Sequence, residues 1–168
     1  KVKIIHKPTS IRVGFINFDK QNLCKMKNYC YLCPIKSRSQ MLSQFKQYLG
    51  TKGIIPITEE EGQITFLLDG LYYLFIYEKT DPNYFRIILP NIFKIEGEKS
   101  KYASLVNDLN QRYKVAKTYI TDNDMIWIAA DQFIYSSEGI DLMFERCITL
   151  LKIVIDYFRN QQSQLSHD

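Results

Sequence analysis

Residues 100–134, SKYASLVNDLNQRYKVAKTYITDNDMIWIAADQFI, read as one helix followed by a β-hairpin. Tyr102, Leu105, Val106, Leu109 and Tyr113 recur at helical spacing and form an apolar stripe. Lys101, Asn107, Asp108, Gln111 and Arg112 fall opposite. The period then changes to that of strands. Val115–Thr121 and Met125–Ala130 are separated by the polar turn Asp122-Asn123-Asp124. A two-residue loop places Ala116, Thr118, Ile120, Met125, Trp127 and Ala129 on one face, and Val115, Tyr119, Ile126 and Ile128 on the other. Both faces are apolar, so covering helices account for one, and the other calls for the N-terminal segment or a second chain.

On the N-terminal side, Ser37 or Ser39 can cap a helix running from about Ser39 to Gly50. Met41, Leu42, Phe45, Tyr48 and Leu49 are its apolar stripe, and Gly50 and Gly53 stop it. Ile54–Ile57 carries Pro56 and reads as a linker or an edge. Glu59, Glu60 and Glu61 read as an exposed turn. Gln63–Leu68 and Leu71–Tyr77 are strands joined by Asp69-Gly70, a dipeptide suited to a type I′ turn. Tyr84–Leu89 is a third strand, ended by Pro90, with residues 91–99 a connection. After the second hairpin, Ser136 and Ser137 offer caps for a helix reaching about Asn160. Its apolar residues cover more than one stripe, so it is either largely buried or shared with a partner. The order α-β-β-β-α-β-β-α predicts an α+β fold with a five-stranded antiparallel sheet covered by helices.

The chain has 168 residues, 46% hydrophobic and 14% aromatic, enough for the core of one domain. Net charge is +4, but it is unevenly spread. Residues 1–40 hold nine bases and one acid, a net +8, whereas the remainder holds 13 bases and 17 acids, a net −4. This predicts a basic N-terminal extension over 1–36, irregular or adding one strand, a domain over 37–162, and a polar tail over 163–168. No apolar run reaches the roughly 18 residues a membrane span needs, and no signal-peptide pattern is present. Cys24, Cys30 and Cys33 have the spacing C-x5-C-x2-C. Zinc would need a fourth ligand, with only His6 or Cys147 to supply it, so the cysteines are read as reduced thiols of a cytoplasmic protein.

Catalysis lacks its usual parts. The only histidines, His6 and His167, stand near the two ends, and no phosphate-binding, dinucleotide or zinc-protease motif occurs. No catalytic residue, cofactor or metal is therefore assigned, and the chain is read as non-enzymatic.

FRIILP (Phe85–Pro90), LVNDLNQRYKVAKTYI (Leu105–Ile120) and MIWIAADQF (Met125–Phe133) with the helix that follows resemble the YbjN-type family, bacterial domains with a fold like that of type III secretion chaperones. The resemblance covers roughly residues 39–160. It implies a helix, three strands, a helix, two strands and a helix, often dimeric in secretion chaperones, with protein binding or regulation and no established enzymatic activity. Asn107 and Asn110 match the family's Asn-bearing helix, where hydrogen bonding to neighbouring backbone is the expected role. The expected partner is another protein or a second copy, met by Tyr73, Tyr77, Ile120, Met125 and Trp127 of the sheet and Phe144, Ile148, Leu151 and Ile155 of the last helix. The alternative is nucleic acid held by the basic segment 1–40, whose bases are interleaved with Phe15, Phe18, Tyr29 and Tyr31.

Overall fold

A computed structural model describes residues 38–60, 62–77, 81, 83–134, 136 and 138–165. In chain order the elements are α1 (Arg38–Thr51), β1 (Pro56–Glu60), β2 (Gln63–Leu68), β3 (Leu71–Tyr77), β4 (Tyr84–Lys94), α2 (Lys99–Arg112), β5 (Ala116–Ile120), β6 (Met125–Phe133) and α3 (Ile140–Leu165). The extension 1–36, with Cys24, Cys30, Cys33 and His6, lies outside the described residues.

The strands form one antiparallel sheet in the order β1-β2-β3-β4-β6-β5. The fold is α+β as expected, with six strands rather than five. The extra one is β1, at an edge. Its Pro56 is tolerated there as the first residue of an edge strand, and the register shifts between Pro56 and Thr58. Glu59 and Glu60 accordingly lie on this strand and not in a turn.

Local chemistry sets the boundaries of the elements. At the end of α1, Ile54 N–H donates to Leu49 O (2.9 Å) and Gly53 N–H to Gly50 O (3.0 Å), a Schellman pair. Gly53 supplies the left-handed residue at φ 69°, so Gly50 stays inside the helix. The β2–β3 turn has Asp69 at φ 52° and Gly70 at φ 75°, the two positive values a type I′ turn needs. Strand β4 does not stop at Pro90. It passes through a bulge in which Leu89 pairs with Ile128 and Phe93 with Ile126, leaving two extra residues on β4. Asn91 sits in that bulge at φ 51°.

The β5–β6 hairpin corrects the expected faces. Its loop has three residues, not two: Thr121 N–H donates to Met125 O (2.8 Å), Asp124 N–H donates to Thr121 O (3.0 Å), and Asp124 is left-handed at φ 57°. One added loop residue reverses the parity of the pairing. Ile120 therefore lies opposite Ile126, and Tyr119 opposite Trp127.

The helices pack on one face of the sheet, here the inner face. Ile64 and Phe66 of β2, Tyr73, Phe75 and Tyr77 of β3, Phe85, Ile87 and Leu89 of β4, and Ile126, Ile128 and Ala130 of β6 supply its buried side chains. Phe45 of α1 is the hub, stacked on Phe75 at 4.0 Å and edge-on to Phe66 (5.6 Å) and Phe144 (4.8 Å). Helix α3 buries Ile140, Phe144, Cys147, Ile148, Leu151, Val154, Ile155 and Phe158, one regular stripe. Its other large apolar residues include the exposed Leu142 and Ile153.

Candidate functional site

Six of the nine residues expected to meet a partner are core residues. Tyr73, Tyr77, Phe144, Ile148, Leu151 and Ile155 are all buried within the domain. The reason is alternation. Apolar residues on both faces of β3 and a wide apolar helix do not reveal which side turns inward, and the helices cover this side. Ile120, by the hairpin parity, packs half-buried against the same core. Met125 and Trp127 alone remain on the outer face, both half-buried.

That outer face has two halves. On β2 and β3, Leu67 and Tyr72 are exposed beside the half-buried Leu74 and Ile76. On β4, β6 and β5 the register brings Arg86 opposite Asp131, Tyr84 opposite Phe133, and Lys117 opposite Ala129. Arg86 Nε donates to Asp131 Oδ1 (2.5 Å) and its Nη2 to Oδ2 (3.1 Å), a two-pronged pair. Lys117 Nζ stands 2.6 Å from the same Oδ2, and Tyr84 lies near enough to interact with the Asp131 carboxylate. The Arg86 guanidinium also lies 5.9 Å from the Tyr84 ring centroid.

The Asp131 side chain is only 11% exposed although it lies on a face that the described helices leave uncovered. Burial pushes its carboxyl up, and the interactions with Arg86, Lys117 and Tyr84 outweigh this and hold it below its ordinary value. The bond to Asp131 raises Arg86 in turn. Burial, then the interaction with Asp131, pushes Tyr84 up to about 12, and burial raises Tyr119. Two cations around one carboxylate leave the cluster one positive charge, with Lys117 exposed. Arg86 and Asp131 are held as a paired cation and anion, so the cluster presents charge and shape on this face.

Trp127 is fixed on the same face. Its indole N–H donates to Asn91 Oδ1 (2.9 Å), which the β4 bulge presents, and its ring lies 6.1 Å from that of Tyr119. Asn110 does what its helix position implied. Its Nδ2 donates to Thr118 O (2.9 Å) and its Oδ1 accepts from Thr118 N–H (2.7 Å), so it occupies the free edge of β5 as a neighbouring strand would. Asn107 is exposed.

The sequence reading missed Arg86, Lys117 and Asp131. A single charge inside each of the apolar strands FRIILP and MIWIAADQF was the available signal, and it points to a site only once β4 and β6 are known to be neighbours. Among the described residues no group of His, Cys, Asp and Glu is placed to hold a metal ion, and no helix is long and apolar enough to cross a membrane.

No family model matches the sequence, and no curated protein matches it. Solved structures do match the fold. YbjN, a proposed transcription regulator from E. coli, is 14% identical with a TM-score of 0.53, covering 72% of this chain and 93% of its own. An uncharacterized protein from Methanothermobacter thermautotrophicus is 10% identical with a TM-score of 0.50, covering 71% of this chain and 96% of its own. The fold is YbjN-like.

Proposed function

We propose that this chain is a non-enzymatic protein-binding module of chaperone-like fold that docks a protein partner on the outer face of its sheet. One observation carries the reading. The face left uncovered by the described helices combines exposed Tyr72, Leu67 and Phe133 with the Arg86–Asp131–Lys117 cluster and the pinned Trp127. Aromatic and arginine anchors set in an apolar surface are what strong protein contacts use. A solvated sheet face would instead alternate polar side chains outward. The positive cluster favours an acidic side chain on the partner.

The test pairs light scattering after gel filtration with pull-downs, comparing the full chain with Tyr72→Glu and Phe133→Glu. Both positions are exposed, so the variants keep the native circular dichroism. The reading expects both to abolish association, with self or with the captured protein, and Ile153→Glu on α3 to leave it intact. Association that survives both outer-face variants contradicts it.

A second reading has its own support in the net +8 of residues 1–40. It is that this segment holds nucleic acid, in line with the regulatory role proposed for the E. coli neighbour. Such binding would weaken steeply with salt and vanish on deletion of residues 1–36, whereas outer-face association would persist.

A further inference from the structure

A cavity of about 520 Å³ opens where the start of β5 and the end of β6 meet the first half of α3. Leu142, Met143, Arg146, Cys147 and Leu150 recur at one-, three- and four-residue steps, so one stripe of α3 makes one wall. This stripe borders the one that fills the core and shares Cys147 with it. Lys114 and Val115 stand in the opposite wall. Cys147 is buried and Met143 and Leu150 are half-buried, whereas Leu142 and Val115 are 63% and 48% exposed. Apart from the half-buried Gln132, the lining is thus apolar inside and open at the lip. Val115 is held there at φ 72°, a conformation a β-branched residue rarely adopts.

The charge of the cavity has one sign. Lys114 and Arg146 are both exposed, and neither has a carboxylate partner among the described residues. Of the nearby acids of α3, Glu145 holds Tyr48 and Lys52, and Asp141 does not line the cavity. The size falls within the roughly 300–1,000 Å³ of small-molecule sites. A peptide adding as a strand would need the free edge of β5, where Asn110 already bonds the backbone of Thr118. We propose that the cavity binds a small amphipathic carboxylate, its aliphatic chain over Met143, Cys147 and Leu150 and its carboxylate against Lys114 and Arg146. This inference does not rest on the outer face.

The test titrates the full chain calorimetrically with decanoate and, separately, with decanol. A second readout is the alkylation rate of Cys147, followed on its own peptide by mass spectrometry. Saturable decanoate binding that slows Cys147 alkylation is expected. The double variant Lys114→Gln/Arg146→Gln, at two exposed positions, should weaken decanoate by roughly tenfold or more and leave decanol unchanged. Tyr72→Glu should leave decanoate binding unchanged. Failure of decanoate to saturate below its micelle concentration overturns the proposal, as does equal affinity of the double variant. Tighter binding by an acidic, leucine-rich peptide that decanoate cannot displace also overturns it.

Discussion

Asp131 is the residue whose chemistry most shapes the outer face. Asp131→Asn leaves Arg86 and Lys117 without their shared anion and should cost about 2 kcal/mol at neutral pH. The folded carboxyl lies below its ordinary value of 3.8, so the unfolded chain binds the proton more readily. The contribution is therefore full above that value and is lost as pH falls through the folded one. Urea unfolding of wild type and variant should show a stability gap that is constant from pH 7 to about 5 and closes below about 4. A gap that persists undiminished at pH 3 would show that the ion pair is not its source. Tyr73 presents the opposite case. Its hydroxyl is buried with no hydrogen-bond partner among the described residues, and burial pushes the phenol up to about 12. Tyr73→Phe should leave the melting temperature unchanged or raise stability by up to about 1 kcal/mol, because an unpaired buried hydroxyl is a cost. A clear drop in the melting temperature would mean the hydroxyl has a role the fold does not reveal.

Among the elements, α2 and β5 depend on each other through one side chain. Asn110→Ala removes two bonds to the backbone of Thr118 and should lower stability by about 2 kcal/mol, whereas Asn107→Ala, at an exposed position, should stay within about 0.5. Chemical denaturation midpoints check both, and equal effects would refute the edge-filling role. Most elements were readable from local pattern. The stripe of Met41, Phe45, Tyr48 and Leu49 was, and so was the Asp69-Gly70 turn, because period and turn chemistry are written in neighbouring residues. The helix through Leu165 ran five residues past its expected end, since its polar tail gives no stop signal. What failed was what depends on distant partners. Pro90 looked like a stop but is accommodated by a bulge against β6. The parity of β5 against β6 turned on whether the loop held two residues or three, and Asp124 in a left-handed conformation was the deciding, unmarked feature.

For the whole molecule, the same limit explains why the class of fold was readable and most of the candidate surface was not. Composition and element order required a helix-covered antiparallel sheet, and the YbjN-like fold has one. Which apolar residues face inward is decided by packing between strands far apart in sequence. Tyr73, Phe144, Ile148 and their neighbours therefore read in the sequence as candidates for a partner surface as much as for the core, while nothing in it links Arg86 and Asp131, 45 residues apart. The covered inner face builds the core, and the outer face is the one proposed to meet a protein. The most direct test of this account is a photo-crosslinking amino acid placed in the native cell at Tyr72 or Phe133 on the outer face, and at Leu142 or Ile153 on the exposed side of α3. The account predicts discrete crosslinked protein bands from Tyr72 and Phe133 and none from Leu142 or Ile153. Bands arising only from the helix positions would contradict it.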